Sequence, residues 1–317
     1  MAEPELREIR TRAKESGESS LGRLRRRVSF GLRVCRARIM AGERTCPYCG
    51  TQRVVTTARK LQIVELSRCE MCGLSFRWPL DTTARNRYFY QNQYRQSGLT
   101  TSLPTDTELT RLLELNFTGS EKDFSGKIAL IKSILPYGRV LDFGCSWGYG
   151  VHQFRASGYD AMGFEISEYR SAYGRSKLQV PILSNEADLD DCGAHAFDVI
   201  FSSHVLEHLP RLRGVFERFT RLLRPGGLLA VFVPNCGGHN ARLSGVRWAP
   251  HISEIHTMAF DASFYASNMP QLGLDTLILS DPYPLALDPG AFPINSSLVK
   301  DCDGDELAVF CLKRARS

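Results

Sequence analysis

No run of ~18 or more consecutive apolar residues occurs in this chain of 317 residues, so no segment reads as a bilayer-spanning helix. The N-terminus has no apolar core of the kind that directs secretion, which predicts a cytoplasmic protein. Internal repeats and low-complexity tracts are lacking, which excludes solenoids and fibrous arrays. Beyond residue 45 there is no net charge, with 28 basic and 28 acidic side chains. A neutral body argues against a large nucleic-acid footprint. The whole formal charge of +6 sits in residues 1–45, where 12 Lys and Arg stand against 6 Glu.

That basic leader, 1–44, contains "LGRLRRRVSFGLRVCRARIM". Leu21, Leu24, Val28, Leu32, Cys35 and Ile39 recur there at helical spacing, with arginines between them. Such a helix suits peripheral contact with an anionic membrane, or with phosphates; the plainer reading is a solvated, partly ordered extension. Glu3, Glu5, Glu8, Glu15 and Glu18 argue against a mitochondrial presequence. Three further regions follow: 45–80, which holds two cysteine pairs; 81–137, polar and aromatic with a helix over "SGKIALIKSIL"; and 138–317.

Ten cysteines are present, and four of them form "CPYCG" and "CEMCG". The pattern is C-x2-C-x19-C-x2-C, the spacing of a zinc site in a reducing compartment. Gly50 and Gly73 follow the two pairs and let the backbone turn tightly around thiolate sulfur. Four thiolates, from Cys46, Cys49, Cys69 and Cys72, make a closed tetrahedral site, hence a structural one. A redox role fits less well, because there are two pairs and no thioredoxin-like strand and helix around them.

From Gly138 onward, short apolar segments alternate with helical patterns. The strand candidates are "RVLDFG", "DAMGFE", "VPIL", "DVIFSS", "LLAVFVP", "LDTLILS" and "LAVFCLK". This alternation predicts an α/β fold with a parallel sheet covered on both faces. A long helix is expected over "LEHLPRLRGVFERFTRLLRPGG", stopped by Pro-Gly-Gly. No helix separates "LDTLILS" from "LAVFCLK", so those two strands are expected to be antiparallel.

"VLDFGCSWGYG", Val140 to Gly150, runs from a strand into a turn of small residues and then a helix. Small residues let a ligand approach the backbone, and a helix N-terminus offers free N–H groups. Asp142 stands at the strand end. Glu165, 21 residues past Gly144, ends the second strand, where a carboxylate can accept both hydroxyls of a ribose. A dinucleotide site would instead show G-x-G-x-x-G.

These residues resemble the class I S-adenosylmethionine-dependent methyltransferases. "VLDFGCSWGYG" looks like their D-x-G-C-G-x-G turn and "GFEIS" like their ribose-binding acid. "FDVIFSSHVLEHL" and "LLRPGGLLAVFVPN" look like their fourth strand, the helix after it and their fifth strand. The resemblance implies a Rossmann-like sheet of seven strands, the last antiparallel. It implies that Asp142, Gly144, Cys145, Ser146 and Gly148 surround the methionine end of the cofactor. It further implies that Glu165 and Ile166 hold the ribose side, that Asn185 lies near the adenine, and that Ser203 and His204 close the site. Ser146 departs from the family's glycine; if its φ is positive, serine is strained there. Trp147 is expected to shield the cofactor from water. A zinc ribbon ahead of such a domain resembles the branch acting on nucleotide-sugars, polysaccharides and secondary metabolites, in which Tyr88, Tyr90 and Tyr94 would contact a sugar or phosphate, or simply pack the ribbon.

The sulfonium cofactor is already an activated methyl donor, so the protein mainly positions the acceptor. A base is needed only for a poor nucleophile. The candidates are His204, Glu207 and His208 in "HVLEH", and His251, Glu254 and His256 in "APHISEIHTM", with His256 ahead of His251. As a catalytic set we take His204, His208 and His256; helix capping and loop packing are the alternatives. His204, Glu207 and His208 also resemble the E-x-x-E-H metal set of certain O-methyltransferases, with histidine in place of the first acid. The expected function is methyl transfer from S-adenosylmethionine to oxygen or carbon of a small molecule, nucleotide-sugar or glycan. An RNA or protein methyltransferase, and a non-catalytic binding module that keeps the fold, are the competing readings.

Overall fold

Alternation inside "RVLDF" sets the layering. Val140 and Asp142 turn to one side of their strand and Leu141 and Phe143 to the other, and all four are buried. A strand buried on both faces belongs inside a covered sheet. The computed structural model describes residues 20–40, 43–60, 63–93, 102–248, 250–253 and 255–315, and it puts this strand there. The N-terminal elements are α1 (Ser20–Met40), β1 (Val54–Lys60), β2 (Val64–Cys69), β3 (Ser75–Trp78), α2 (Thr83–Tyr88), α3 (Asp106–Glu114) and α4 (Ser125–Ile134). Then come β4 (Arg139–Phe143), α5 (Tyr149–Ala156), β5 (Asp160–Phe164), α6 (Glu168–Tyr173), β6 (Ile182–Leu183), α7 (Glu186–Asp190) and β7 (Phe197–Ser203). The chain continues through α8 (Arg213–Leu222), β8 (Leu223–Pro234), α9 (His239–Ser244), β9 (Met258–Ala259), α10 (Ala262–Asn268), β10 (Leu274–Ser280), β11 (Ser297–Val299) and β12 (Glu306–Lys313).

The large sheet has the order β11-β10-β12-β8-β7-β4-β5-β6. Strands β4 to β8 are parallel, and β12 runs antiparallel to both β8 and β10, as expected for the last strand. The expected seven strands are eight, because β11 adds a parallel edge to β10. Its three residues, "SLV", are too few to show a strand period. Helices α4 and α5 cover one face over Val140 and Phe201, while α8 and α10 cover the other over Leu141 and Ile200. The long helix expected from Leu206 is split. Leu206–His208 makes one 3-10 turn, Pro210 interrupts, and α8 begins at Arg213. The Pro-Gly-Gly run lies within β8 as a bulge, since Phe197 pairs with Leu223 but Val199 with Leu228.

A second sheet, β1-β2-β3-β9, takes its last strand from the C-terminal region. Ser75 pairs with Ala259 and Phe76 with Met258. Tyr48, between the first two cysteines, sits edge-on to Phe216 and Phe264 at 6.0 and 5.1 Å. The cysteine region therefore shares one apolar core with the large sheet. Helix α1 docks on this sheet with Val34 buried and Phe30 packed beside it. The stripe read from the sequence is not the face that packs, since Val28, Leu32 and Ile39 are exposed. Charge explains the difference. Glu65 is buried at 1% exposure and draws Arg38 to 2.6 Å, Arg44 to 3.1 Å and Arg59 to 3.4 Å, which turns the Phe30–Val34–Arg38 side inward. The side chains of Leu21 and Leu24, and residues 1–19 with their glutamates, lie outside the described residues. Among the described residues no helix is long and apolar enough to cross a membrane.

Candidate functional site

Strand β4 has β5 and β6 on one side, β7 and β8 on the other. The chain thus changes its direction of growth at β4, and ligands of open α/β sheets bind beyond the strand ends at such a point. A cavity of about 610 Å³ opens there, within the ~300–1,000 Å³ of small-molecule sites. Gly144, Ser146, Glu165, Ile166, Ser203, His204, His208 and His256 lie on its wall.

The turn after β4 needs its glycines. Gly144 and Gly148 have φ of +81° and +84°. A Cβ on Gly144 would strike Val205, and one on Gly148 would meet Val180 at 2.8 Å. Ser146 has φ +52°, so the condition for strain is met. That conformation costs about 1 kcal/mol. Its hydroxyl accepts a hydrogen bond from Arg170 Nη1 at 3.0 Å, with both residues buried. A bond to a charged partner contributes ~1.5–3 kcal/mol, enough to offset the strain. The Ser146 amide donates to Glu165 Oε2 at 3.1 Å, and the Ser167 amide to Glu165 Oε1 at 2.7 Å. Burial pushes the Glu165 carboxyl up to about 7 against these donors and the Arg170 charge. The turn and the acid form one unit, locked through the residue that departs from glycine.

Other named positions lie off the wall. Asp142 faces the start of α5, where a Cβ on Gly150 would collide with its carboxyl. Its Oδ2 has no partner among the described residues, and burial, then the Glu165 charge, pushes its carboxyl up to about 8. Cys145 belongs to the core between the turn and the sheet. Asn185 is exposed and caps α7 by accepting from the Ala187 amide at 3.1 Å. Trp147 does not line the cavity; it is fully buried against Phe117, Tyr149 and Tyr173. Tyr90 reaches the cavity wall, Tyr88 is exposed, and Tyr94 and Glu254 lie outside the described residues.

The loop after β7 supplies the second wall. His204 has φ +54° and lies between two carboxylates, 3.2 Å from Glu207 Oε1 and 2.6 Å from Glu306 Oε1. Burial works against a charged ring, but these carboxylates overcome it and hold His204 up at about 9. Glu306 also accepts from Lys127 Nζ at 2.6 Å and from the Tyr283 hydroxyl at 2.5 Å. Lys127 and Glu306 carry no local motif and lie 179 residues apart, so only the fold could bring them to the site. Glu207 is buried at 1% exposure. His208 Nδ1 is 3.1 Å from the Ile255 carbonyl, and His256 Nδ1 is 2.8 Å from the Pro250 carbonyl. A carbonyl only accepts, so in each ring Nδ1 carries the proton and the neutral form keeps its lone pair on Nε2. His251 instead turns its Nδ1 to the Gly245 carbonyl and is absent from the cavity wall.

Away from the cavity, the thiols of Cys46, Cys49, Cys69 and Cys72 lie within 4.8 Å of one another. The Cys46–Cys72 and Cys49–Cys69 sulfurs are each 3.5 Å apart. Zinc–sulfur bonds of ~2.3 Å in a tetrahedron set sulfurs ~3.8 Å apart, so these residues fit a zinc ion.

Comparison with known proteins adds a family. The methyltransferase-domain family matches residues 100–277, more than half of the chain. The sterol 24-C-methyltransferase of Saccharomyces cerevisiae is 28% identical over 101 residues, which cover 29% of this chain and 26% of that protein. The trans-aconitate 2-methyltransferase of Deinococcus radiodurans is 30% identical over 101 residues, which cover 31% and 39%. The chain thus spans well under half the length of these curated relatives. A crystal structure of an S-adenosylmethionine-dependent methyltransferase from Thermotoga maritima aligns with a TM-score of 0.45 at 16% identity, covering 66% of this chain and 96% of that one.

Proposed function

This chain belongs to the methyltransferase-domain family, and on that premise we propose that it transfers a methyl group from S-adenosylmethionine to oxygen or carbon of a small molecule, nucleotide-sugar or glycan. One observation carries the reading. The Glu165 carboxylate is held against the glycine turn by two backbone amides, at the wall of a cavity of about 610 Å³. Anchored in this way, it keeps lone pairs for two ribose hydroxyls. Gly144 and apolar Ile166 line the same cavity beside it. When bound, S-adenosylmethionine supplies a methyl group on a sulfonium, activated without further help.

The chain's own part is positioning and proton handling. Charged His204, held by Glu207 and Glu306, cannot take a proton and serves to orient the wall. The Nε2 lone pairs of His208 and His256 are the basic atoms left for an acceptor hydroxyl. A sterol and trans-aconitate, named for the two relatives, are both small molecules, which supports a small acceptor. The four cysteines we read as a structural zinc site, supported by their spacing and mutual approach.

Calorimetric titration with S-adenosylmethionine and S-adenosylhomocysteine tests this. Micromolar binding, lost in Glu165→Ala, is expected. A folded wild-type protein that binds neither would move the non-catalytic reading to first place.

A further inference from the structure

Glu207, His208 and His256 come from two separate stretches of chain, and one potential ligand atom from each lies within 4.8 Å of the other two. The sequence pattern had grouped His204 with Glu207 and His208. The fold instead turns His204 Nε2 toward Glu306 and brings His256 into its place, with its ring 4.7 Å from that of His208. The stretches are tied together firmly: the Thr257 amide donates to the Glu207 carbonyl at 2.8 Å, and the Thr257 hydroxyl donates to the Leu209 carbonyl at 3.0 Å. Asn86 donates to the His208 carbonyl at 2.8 Å.

The electrostatics of this trio are unfinished. Glu207 is 1% exposed, and its Oε2 has no hydrogen-bond partner among the described residues. Leaving a buried carboxylate oxygen unpartnered is costly. His204 donates to the other oxygen, Oε1, at 3.2 Å, and the rings of His208 and His256 offer Oε2 no proton in their neutral form, because each uses Nδ1–H on a backbone carbonyl. The carboxylate and one ring nitrogen of each histidine lie within 4.8 Å of one another, with His208 Nε2 3.9 Å from Glu207 Oε1. A cation resolves this. Histidines that bind metals usually donate their other ring N–H to a carbonyl or carboxylate, as both do here.

We propose that Glu207, His208 and His256 bind one divalent transition-metal ion, separate from the four-cysteine site, with its open positions facing the cavity. Two imidazoles and one carboxylate suit a first-row ion such as manganese, iron, cobalt or zinc, whereas magnesium and calcium prefer all-oxygen sites. Bonds of ~2.1 Å would bring the ligand atoms to ~3.0–3.4 Å from one another, so the three side chains close by about 1 Å around the ion. Ion binding does not depend on the methyl-transfer reading; the ion's role does. An acceptor hydroxyl on the ion loses its proton to water. Its oxygen then forms the O–CH3 bond while the S–CH3 electron pair returns to sulfur, leaving the thioether. His208 and His256 act as ligands in that scheme, and the acceptor is an alcohol or phenol rather than a carbon acid.

The test is a titration of chelator-treated full-length protein with Mn2+, following the free-ion electron paramagnetic resonance signal, with cysteine-held zinc counted by elemental analysis. One Mn2+ per chain is expected beyond the zinc. His256→Ala and Glu207→Gln should each weaken it at least tenfold without changing the zinc count. If Glu207→Gln does not fold, the half-buried His256 carries the comparison. Failure of Mn2+, Co2+ and Zn2+ alike to occupy the trio in folded protein overturns the proposal, and so does binding unchanged in His256→Ala. Binding of S-adenosylhomocysteine, measured separately, reports on the methyl-transfer reading: its loss with Mn2+ retained would sink that reading and leave the ion site standing.

Discussion

Two side chains at the cavity, Ser146 and His204, occupy the left-handed region that glycine usually takes. Each is held there by a charged partner, Arg170 for Ser146 and the two carboxylates for His204. For Ser146 this arithmetic can be tested by two substitutions. Ser146→Gly relieves the strain but loses the bond to Arg170 and adds chain entropy, so it should cost about 1 kcal/mol. Ser146→Ala keeps the strain and loses the bond, so it should cost about 2 kcal/mol. Urea denaturation should give the order wild type, glycine, alanine; an alanine variant as stable as wild type would remove the Arg170 bond from the account. The carboxyl of Glu165 offers a second test. Its ordinary value is near 4.5, and burial brings it up to about 7. The native protein therefore holds this proton to a higher pH than the unfolded chain, and only the ionised form accepts two ribose hydroxyls. Cofactor affinity should rise with pH, by about tenfold between pH 6 and pH 8, as the ionised fraction climbs. The same carboxyl and that of Asp142, pushed up to about 8, remove stability as pH rises from about 4 to 8. Calorimetric dissociation constants that stay flat across pH 6 to 8 would show Glu165 already ionised, or outside the site.

Strands with a strong apolar run were legible because burial on both faces leaves a continuous signature, as in β4, β7 and β8. Their antiparallel closure by β12 followed from the missing helix before it. β11 left no such mark, because a three-residue edge strand contributes backbone pairing and almost no buried side chain. The packed face of α1 was illegible for another reason. Apolar periodicity marks a face that can be buried, but Glu65 with three arginines decides which face is. The positions on the glycine turn could be picked out because steric need confines them to one short stretch. Glu306 and Lys127 could not, since their meeting with His204 depends on sheet order and on nothing local. The pairing of Glu207 with His256 is intermediate: both lie in polar clusters visible in the sequence, but which cluster members meet is set by the loop clamp at Thr257.

The cysteine region looked like a separate module by spacing, and its packing argues otherwise. Leu212 donates its amide to the Pro47 carbonyl at 3.2 Å, and Asn268 donates to the Cys72 carbonyl at 2.8 Å. Arg68 pairs with Asp261 at 2.8 Å, and β3 borrows β9 as its neighbour. Phe216 and Phe264, fully buried here, would lose the cover of Tyr48 if the cysteine loops opened. With zinc bound there as proposed, its loss should loosen the core of the large sheet as well as the loops. Cys69→Ser is expected to lower bound zinc below one per chain and to shift a single calorimetric transition down by more than about 5 °C. The shift should appear equally in a probe of the large sheet, because the two sheets share one apolar cluster. Two transitions, with the cysteine region melting first and the cofactor cavity unaffected, would mean that contacts at Tyr48 and β9 are too weak to couple them. The cysteine region would then be a detachable module.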